Sequence, residues 1–407
     1  MNQNELHNFS DKIQAGLSKS VHIESINFIF KILDEAGFLC WISGGAIRDF
    51  IIDVKPIDFD LTTNATDADI LKLFPKAILV GQIFGVYKLL INGEIFDLTV
   101  FRFEEKYIDG RRPSGIKPAN PEIDAKRRDF TMNGLFWDLK NNQLVDYVGG
   151  VSDIQNKLIK CIDCAKNKFN EDHLRILRLI RFKYQLNFDV DVTDYQMACD
   201  LAEKTKTVSG ERLFSEIKKV NDKISRLNMY QDKLFISIMK HNNLSFINTD
   251  AKCKQLTALS NELPEQQIFL EIFYLMDFNL KSIELIKNRF KISNQQFNFL
   301  KNIFEISESL KLKKDYVHFC LMIDRSAEYF KILKFFKDLD LINLDLMNQI
   351  SEAHLNFPSP IISAKHIISL VIPRRISQVL TEVRAWQIRN KVSELKTCID
   401  YVKIQYR

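Results

Sequence analysis

The chain has 407 residues, 46% hydrophobic and 27% charged, with a formal net charge of +5. That is enough for roughly two to four domains, too apolar for an intrinsically disordered chain, and basic enough to permit a nucleic-acid partner without requiring one. Seven scattered cysteines, an odd number, argue against a disulfide framework. Reduced thiols suit a cytoplasmic protein.

In chain order, the first 20 residues are polar and charged and hold no signal-peptide core. "ESINFIFKILDEAG" (24–37) predicts an amphipathic helix closed by glycine. "FLCWIS" follows as a short strand, "AIRDFII" as a helix, and "ATDADILKLF" as another. "KAILVG", "VYKLLI" and "IFDLTVFR" read as strands, with Asn92-Gly93 as a hairpin turn between the last two. The expectation is an α+β domain with a mixed sheet. Cys161-Ile-Asp-Cys164 is the only CxxC and has no second pair, so it reads as two half-buried thiols. All 13 glycines lie at or before Gly210, and the last 197 residues have none. Few positive-φ turns, no hairpins and a run of helices are expected there, with breaks at Pro264, Pro358, Pro360 and Pro373. No apolar run reaches the length of a membrane span.

The first stretch that carries chemistry is "SGGAIRDFIIDVKPIDFDLTTNAT" (43–66). A glycine pair between a strand and a helix lets the backbone approach phosphate oxygens. Arg48 lies one turn into that helix and adds charge. Residues two apart on a strand face the same way, so Asp58 and Asp60 present two carboxylates together. Hard oxygen ligands at that spacing suit Mg²⁺. Asp97, on a later strand, is expected to approach the same face. The plain alternative is a tight turn before an acidic strand edge; no GxxxxGK[ST] P-loop is present.

A second stretch runs from Lys126 to Lys183, with 12 basic and 7 acidic residues. It contains "KRRDFTMNGLFWD", "LVDYVGGVSDIQNKLI" and "NEDHLRILRLIRF". Asp172, Arg175, Arg178 and Arg181 recur every three residues, as expected on one helix whose side chains sweep around the axis. Such a stripe is either a solvated face or a nucleotide-reading surface. An Asp/Arg pair matches the amino donor and ring-nitrogen acceptor shared by cytosine and adenine. It meets uracil and guanine with mismatched groups.

The pieces "GGAIRD…DFD", "RRDFTMNG", "DYVGGVSD", "EDHLR" and "SGERLFSE" stand in an order that resembles the class II tRNA nucleotidyltransferases (CCA-adding enzymes) and bacterial poly(A) polymerases. These belong to the polymerase β-like nucleotidyltransferases. The resemblance covers residues 40–220 or so. It implies a nucleotidyltransferase head (1–165), a helical neck that reads the base (166–225), and a helical body (226–320) and tail (321–407) that hold RNA. It implies Mg²⁺ on Asp58 and Asp60, with Asp97 catalytic beside them. Gly44, Gly45, Arg48 and Arg128 would meet the triphosphate or sugar. Asp172 and Arg175 would read the base, Arg178 and Arg181 would complete the pocket, and Glu211 and Arg212 would brace the neck. Substrates would be CTP, ATP and tRNA, with no membrane and no obligate protein partner. Ile57 stands where the family often has lysine. "LVGQIFGVYKL" (79–89), with Phe84-Gly85, resembles the CCA-adding branch more than the poly(A) branch, and no long basic C-terminal extension is expected. The segment 104–126 occupies the place of a flexible loop found in members that add A. A poly(A) polymerase, an A-adding specialist and a catalytically silent RNA binder are the rival readings.

Overall fold

The computed structural model describes residues 3–80, 85–105, 107, 110–257, 266–326, 328–357 and 359–406. The chain divides into two compact units, Met1–Asn242 and Asn243–Arg407.

The first unit opens with α1 (Gln3–Ser18) and α2 (Ile23–Glu35), the latter burying Ile26, Ile29 and Leu33 on one face. Then follow β1 (Cys40–Ser43), α3 (Gly45–Ile51), β2 (Asp60–Thr63) and α4 (Asp67–Leu73). A Thr66/Asp69 capping box starts α4. Next come β3 (Ile78–Val80), β4 (Val86–Ile91) and β5 (Glu94–Val100). Asn92 (φ 53°) and Gly93 (φ 82°) both sit at positive φ, as a type I′ hairpin turn demands. β8 (Leu135–Asp138) and β9 (Gln143–Asp146) complete a seven-stranded sheet of order β3-β4-β5-β2-β1-β8-β9. Only β2 and β5 run parallel, so the sheet is mixed.

The segment expected as a flexible loop is partly regular. β6 (Arg102–Glu104) and β7 (Ile116–Pro118) form a separate ribbon, and α5 (Pro121–Arg127) starts on an Asn120 cap with proline in its first turn. Trp41, Phe101, Ala125 and Phe136 pack together beneath it. α6 (Gly150–Gln155) and a short parallel pair, β10 (Leu158–Ile159) with β11 (Asp189–Val190), follow the sheet. Helices α7 (Ala165–Glu171), α8 (Leu174–Leu186), α9 (Val192–Asp200), α10 (Gly210–Lys218), α11 (Lys223–Gln231) and α12 (Lys233–His241) complete the unit.

Among the described residues the second unit is helical throughout, from α13 (Thr249–Thr257) to the last helix, Leu395–Gln405. The expected absence of hairpins holds, but the expected scarcity of positive φ does not. Asn243, Asn248, Asp277, Phe278, Lys291, Lys313, Asp340 and Lys391 all adopt it. Helix ends need a left-handed residue to satisfy their last carbonyls, and without glycine the chain uses side-chain-bearing residues, mainly Asn, Asp and Lys. Pro373 opens a 3₁₀ turn; Pro264 and Pro358 lie outside the described residues. No described helix is long and apolar enough to cross a membrane.

Arg384 organises this unit. Its guanidinium is buried, paired through two nitrogens with Asp324 (2.6 and 3.0 Å), and donates to the carbonyls of Ser359 and Phe357. Arg389, by contrast, pairs with Asp315 at an exposed surface. Removing one partner of a buried pair strands the other. Arg384→Ala is therefore expected to destabilise the unit by about 3–5 kcal/mol. Arg389→Ala should cost about 1 kcal/mol or less. Denaturant unfolding of the two variants checks the contrast.

Candidate active site

Neighbouring strands align one row of side chains. Ser43 of β1 lies opposite Asp60 of β2, Asp60 opposite Asp97 of β5, and Asp97 opposite Lys88 of β4. Asp58 stands in irregular chain two residues before β2 begins. Phe59 between the two aspartates is buried against His22 and Phe50, with ring centroids 5.5 and 6.1 Å away. The alternation then turns both flanking carboxylates to the opposite, exposed side. The Asp60 carboxyl is held above its ordinary range. Crowding by surrounding protein is the main cause, Asp97 and Asp58 add repulsion, and Arg128 and Arg178 oppose it. Asp97 is held by Lys88, Nζ to Oδ1 at 2.7 Å.

These hard oxygen donors suit a divalent cation, and the repulsion Asp60 feels from Asp97 and Asp58 is an excess of negative charge that a cation relieves. Among the described residues no three acidic, His or Cys groups come close enough to enclose a metal on their own. Mg²⁺ commonly uses one or two carboxylates and completes its shell with substrate phosphates and water.

Gly44 follows Ser43 at φ 72°, and its N–H donates to the Leu135 carbonyl (2.9 Å), stitching the turn to β8. Its positive φ favours glycine, and a Cβ there would lie 3.0 Å from Arg128 Nη1, so that the arginine tip would have to shift slightly. Arg128 is aimed by the fully buried Asp124 (3.0 Å) and rests over the Phe136 ring at 4.9 Å. Arg48 is buried and bonded to Asp49 (2.6 Å) and to Asn133 Oδ1 (2.6 Å).

Asp129 joins this group to α8. Its Oδ1 accepts from Asn133 Nδ2 (3.1 Å) and the Phe130 N–H (2.8 Å), while Oδ2 accepts from Arg178 Nε (2.6 Å). Burial alone would raise its pKa, but Arg178, Asn133 and Arg175 hold it well below the carboxylate range. The guanidinium groups of Arg48, Arg178 and Arg181 lie over the Phe182 ring at 5.1, 5.2 and 3.9 Å.

The four residues expected on one helix are not on one helix. α7 ends at Glu171, and Asp172 adopts extended dihedrals before α8 begins at Leu174. The break has a cause: Asp172 Oδ1 accepts the Leu174 N–H (3.0 Å), capping α8, and Oδ2 accepts from Arg212 Nη2 (3.0 Å). Asp172 and Arg175 stay adjacent through an Arg175 N–H bond to the Asp172 carbonyl (2.9 Å). Arg175 is buried and donates to Glu171, Lys168 O and Arg127 O. Three of its five N–H donors are thereby engaged. Arg181, expected in the nucleotide pocket, is buried 2.9 Å from Glu216 of α10. The two facing atoms, Arg181 Nε and Glu216 Oε2, lack hydrogen-bond alignment. Arg212, expected to brace the neck, pairs with Asp172 at 3.0 Å.

The second glycine pair does not cradle an anion. Asp146 already accepts the N–H groups of Val148, Gly149, Gly150 and Val151 at 2.9–3.1 Å. Asp129 and Asn133 lay within the quoted "RRDFTMNG", and Phe182 within "RLIRF", yet none was singled out from sequence. Lys88 had no signal at all, because its place depends on strand register. Phe84, used to distinguish branches of the family, lies outside the described residues.

The poly A polymerase head domain family matches residues 40–160. The CCA-adding enzyme of Staphylococcus aureus strain Newman is 30% identical over 294 residues, covering 70% of this chain and 71% of that protein. The chain belongs to the CCA-adding enzyme family. The Staphylococcus epidermidis CCA-adding enzyme is 37% identical over 193 residues, 47% of this chain and 48% of that one. Its fold is shared with the solved Bacillus stearothermophilus CCA-adding enzyme in complex with CTP (TM-score 0.71, 19% identity, 94% of this chain and 97% of that one). It is shared as well with the Thermotoga maritima CCA-adding enzyme complexed with tRNA_CCA (TM-score 0.70, 16% identity, 97% and 98%). Nucleotidyltransferases of this family generally depend on a divalent metal.

Asp129 makes acid stability testable. A carboxylate whose folded pKa is depressed contributes stability that is present above its unfolded pKa, near 4, and is lost as pH falls. Asp129→Asn should lower the melting temperature at pH 7. It should also flatten the fall in melting temperature between about pH 5 and pH 2. Melting curves across that range check it. An unchanged acid slope in the variant contradicts the assignment.

Proposed function

We infer that this chain adds C, C and A to the 3′ end of tRNA, without a nucleic-acid template, using CTP and ATP. The observation that carries this reading is the strand register. It sets Asp60 between Asp97 and the residue that leads into the Gly44 turn. Reacting groups held by this row would then lie beside the Gly44 turn, with Arg128 next to it. The 3′-hydroxyl attacks the α-phosphate and pyrophosphate leaves. Asp58 and Asp60 would hold Mg²⁺, with Asp97 completing the acidic row. When bound, the cation neutralises phosphate charge and lowers the pKa of the attacking hydroxyl. Gly44 and Gly45 would cradle phosphates at the start of α3, and Arg128 would neutralise them. Arg48 would keep the turn in shape through Asn133.

Asp172 would accept the amino hydrogen of cytosine or adenine, and one of the two unengaged N–H donors of Arg175 would meet the ring nitrogen. Arg178, partly exposed beside Asp129, would face the nucleotide; Arg181 would brace. Head (1–165), neck (166–225), body (226–320) and tail (321–407) would divide catalysis, base choice and tRNA binding. A cytoplasmic site of action fits the substrates.

Purified protein should extend tRNAs ending before CCA, after C, and after CC to the same CCA end, then stop. The measurement offers each labelled NTP with each tRNA and with an unrelated oligoribonucleotide. Long A tails on any RNA would make it a poly(A) polymerase, and A added only after CC would make it an A-adding specialist. Asp60→Ala should abolish transfer while leaving the melting temperature within a few degrees.

Base choice has its own test. Asp172→Asn keeps an oxygen to cap α8 but loses the charge that repels a carbonyl. Relative kcat/KM for C and A over U and G should fall roughly tenfold, the scale of one charge-assisted hydrogen bond. An unchanged preference in a well-folded variant would remove Asp172 from base reading.

A further inference from the structure

Lys88 stands at the end of the acidic row, directly opposite Asp97, and its ammonium lies 2.7 Å from Asp97 Oδ1. Both side chains are about two-fifths exposed (41% and 37%). Burial does not force them together; the antiparallel register does, because directly opposed residues face the same side at close range. The placement is unusual in its chemistry. A row of carboxylates that repel one another is what attracts a divalent cation, yet here a fixed positive charge stands beside the third carboxylate. It occupies one acceptor direction of Asp97 and repels any cation held by Asp58 and Asp60. Arg128 and Arg178 also place positive charge near Asp60.

We propose that Lys88 is a positioning residue that holds the Asp97 carboxylate and weakens the acidic row's hold on a bare divalent cation, so that the cation is retained only together with the nucleotide's phosphates. The phosphates supply the negative charge that Lys88 offsets, and their oxygens complete the coordination that the protein alone does not provide. Lys88 thus couples cation binding to nucleotide binding. The inference rests on the acidic row being the cation site proposed above.

The test is Mn²⁺ binding followed by electron paramagnetic resonance on the full chain, without nucleotide and again with CTP but no tRNA. Lys88→Met should tighten Mn²⁺ binding roughly three- to tenfold without nucleotide, the scale expected from deleting one nearby, partly screened charge. Lys88→Arg should stay within about twofold of the unaltered chain, because the charge remains. With CTP present the gap between Lys88→Met and the unaltered chain should narrow. In an Asp97→Asn background the tightening by Lys88→Met should be smaller, since the carboxylate it positions is gone. Melting curves confirm that each variant is folded. Unchanged or weaker Mn²⁺ binding in Lys88→Met overturns the proposal, as does a gap that CTP leaves intact. Asp60→Ala separates the two readings. If it removes Mn²⁺ binding while Lys88→Met changes nothing, only the role of Lys88 fails. If Asp60→Ala leaves binding untouched, the cation site fails and the proposal with it.

Discussion

The buried carboxylate of Asp129 is the contact on which the junction between the glycine turn and α8 depends. One oxygen fixes Asn133, whose own side-chain oxygen fixes Arg48 at the glycine turn; the other fixes Arg178 on α8. The end of β1 and helix α8 are thus positioned by one anion. A buried charge of this kind is tolerable only while its partners stay in place. The same requirement keeps those partners in a single geometry. The Phe182 ring lies within 5.2 Å of three guanidinium groups and draws them together through its electron-rich face.

The first unit also shows why two similar glycine pairs serve different ends. Gly149-Gly150 is filled from within, since Asp146 takes four successive N–H groups, and a Cβ on Gly150 would lie 2.1 Å from the Thr131 carbonyl. That pair closes the chain on itself. At Gly44-Gly45 the backbone holds the turn instead: the Gly44 N–H donates to the Leu135 carbonyl, and Ile47 and Arg48 donate to the Gly44 carbonyl. Asp146 stands just before its turn, whereas Asp60 stands opposite Ser43 on the neighbouring strand.

Local patterns were readable in the sequence. The Asn92-Gly93 turn, the strands around it, the alternation through Asp58, Phe59 and Asp60, and the helical second unit all follow from spacing and turn chemistry. Three features did not. The Asp172 stripe obeyed helical periodicity, but a capping aspartate ended one helix and began another, a local bond that periodicity does not register. Arg181 carried the right charge in the right interval, yet its partner Glu216 lies on a different helix, so burial could not be inferred. Lys88 depended on which residue of β5 it faces. Pairings that span strands or helices are set by the whole fold, and a single stretch of sequence does not contain them.

The helical unit carries a compensation in its unfolded chain. Eight of its described residues other than glycine hold left-handed backbone, each strained relative to glycine. Yet this unit contains no glycine at all, so its unfolded chain explores fewer backbone states and less conformational entropy is lost on folding. Rigidity of the disordered chain thus offsets strain in the ordered one. The unit's stability is in part a property of the state in which none of its helices exist.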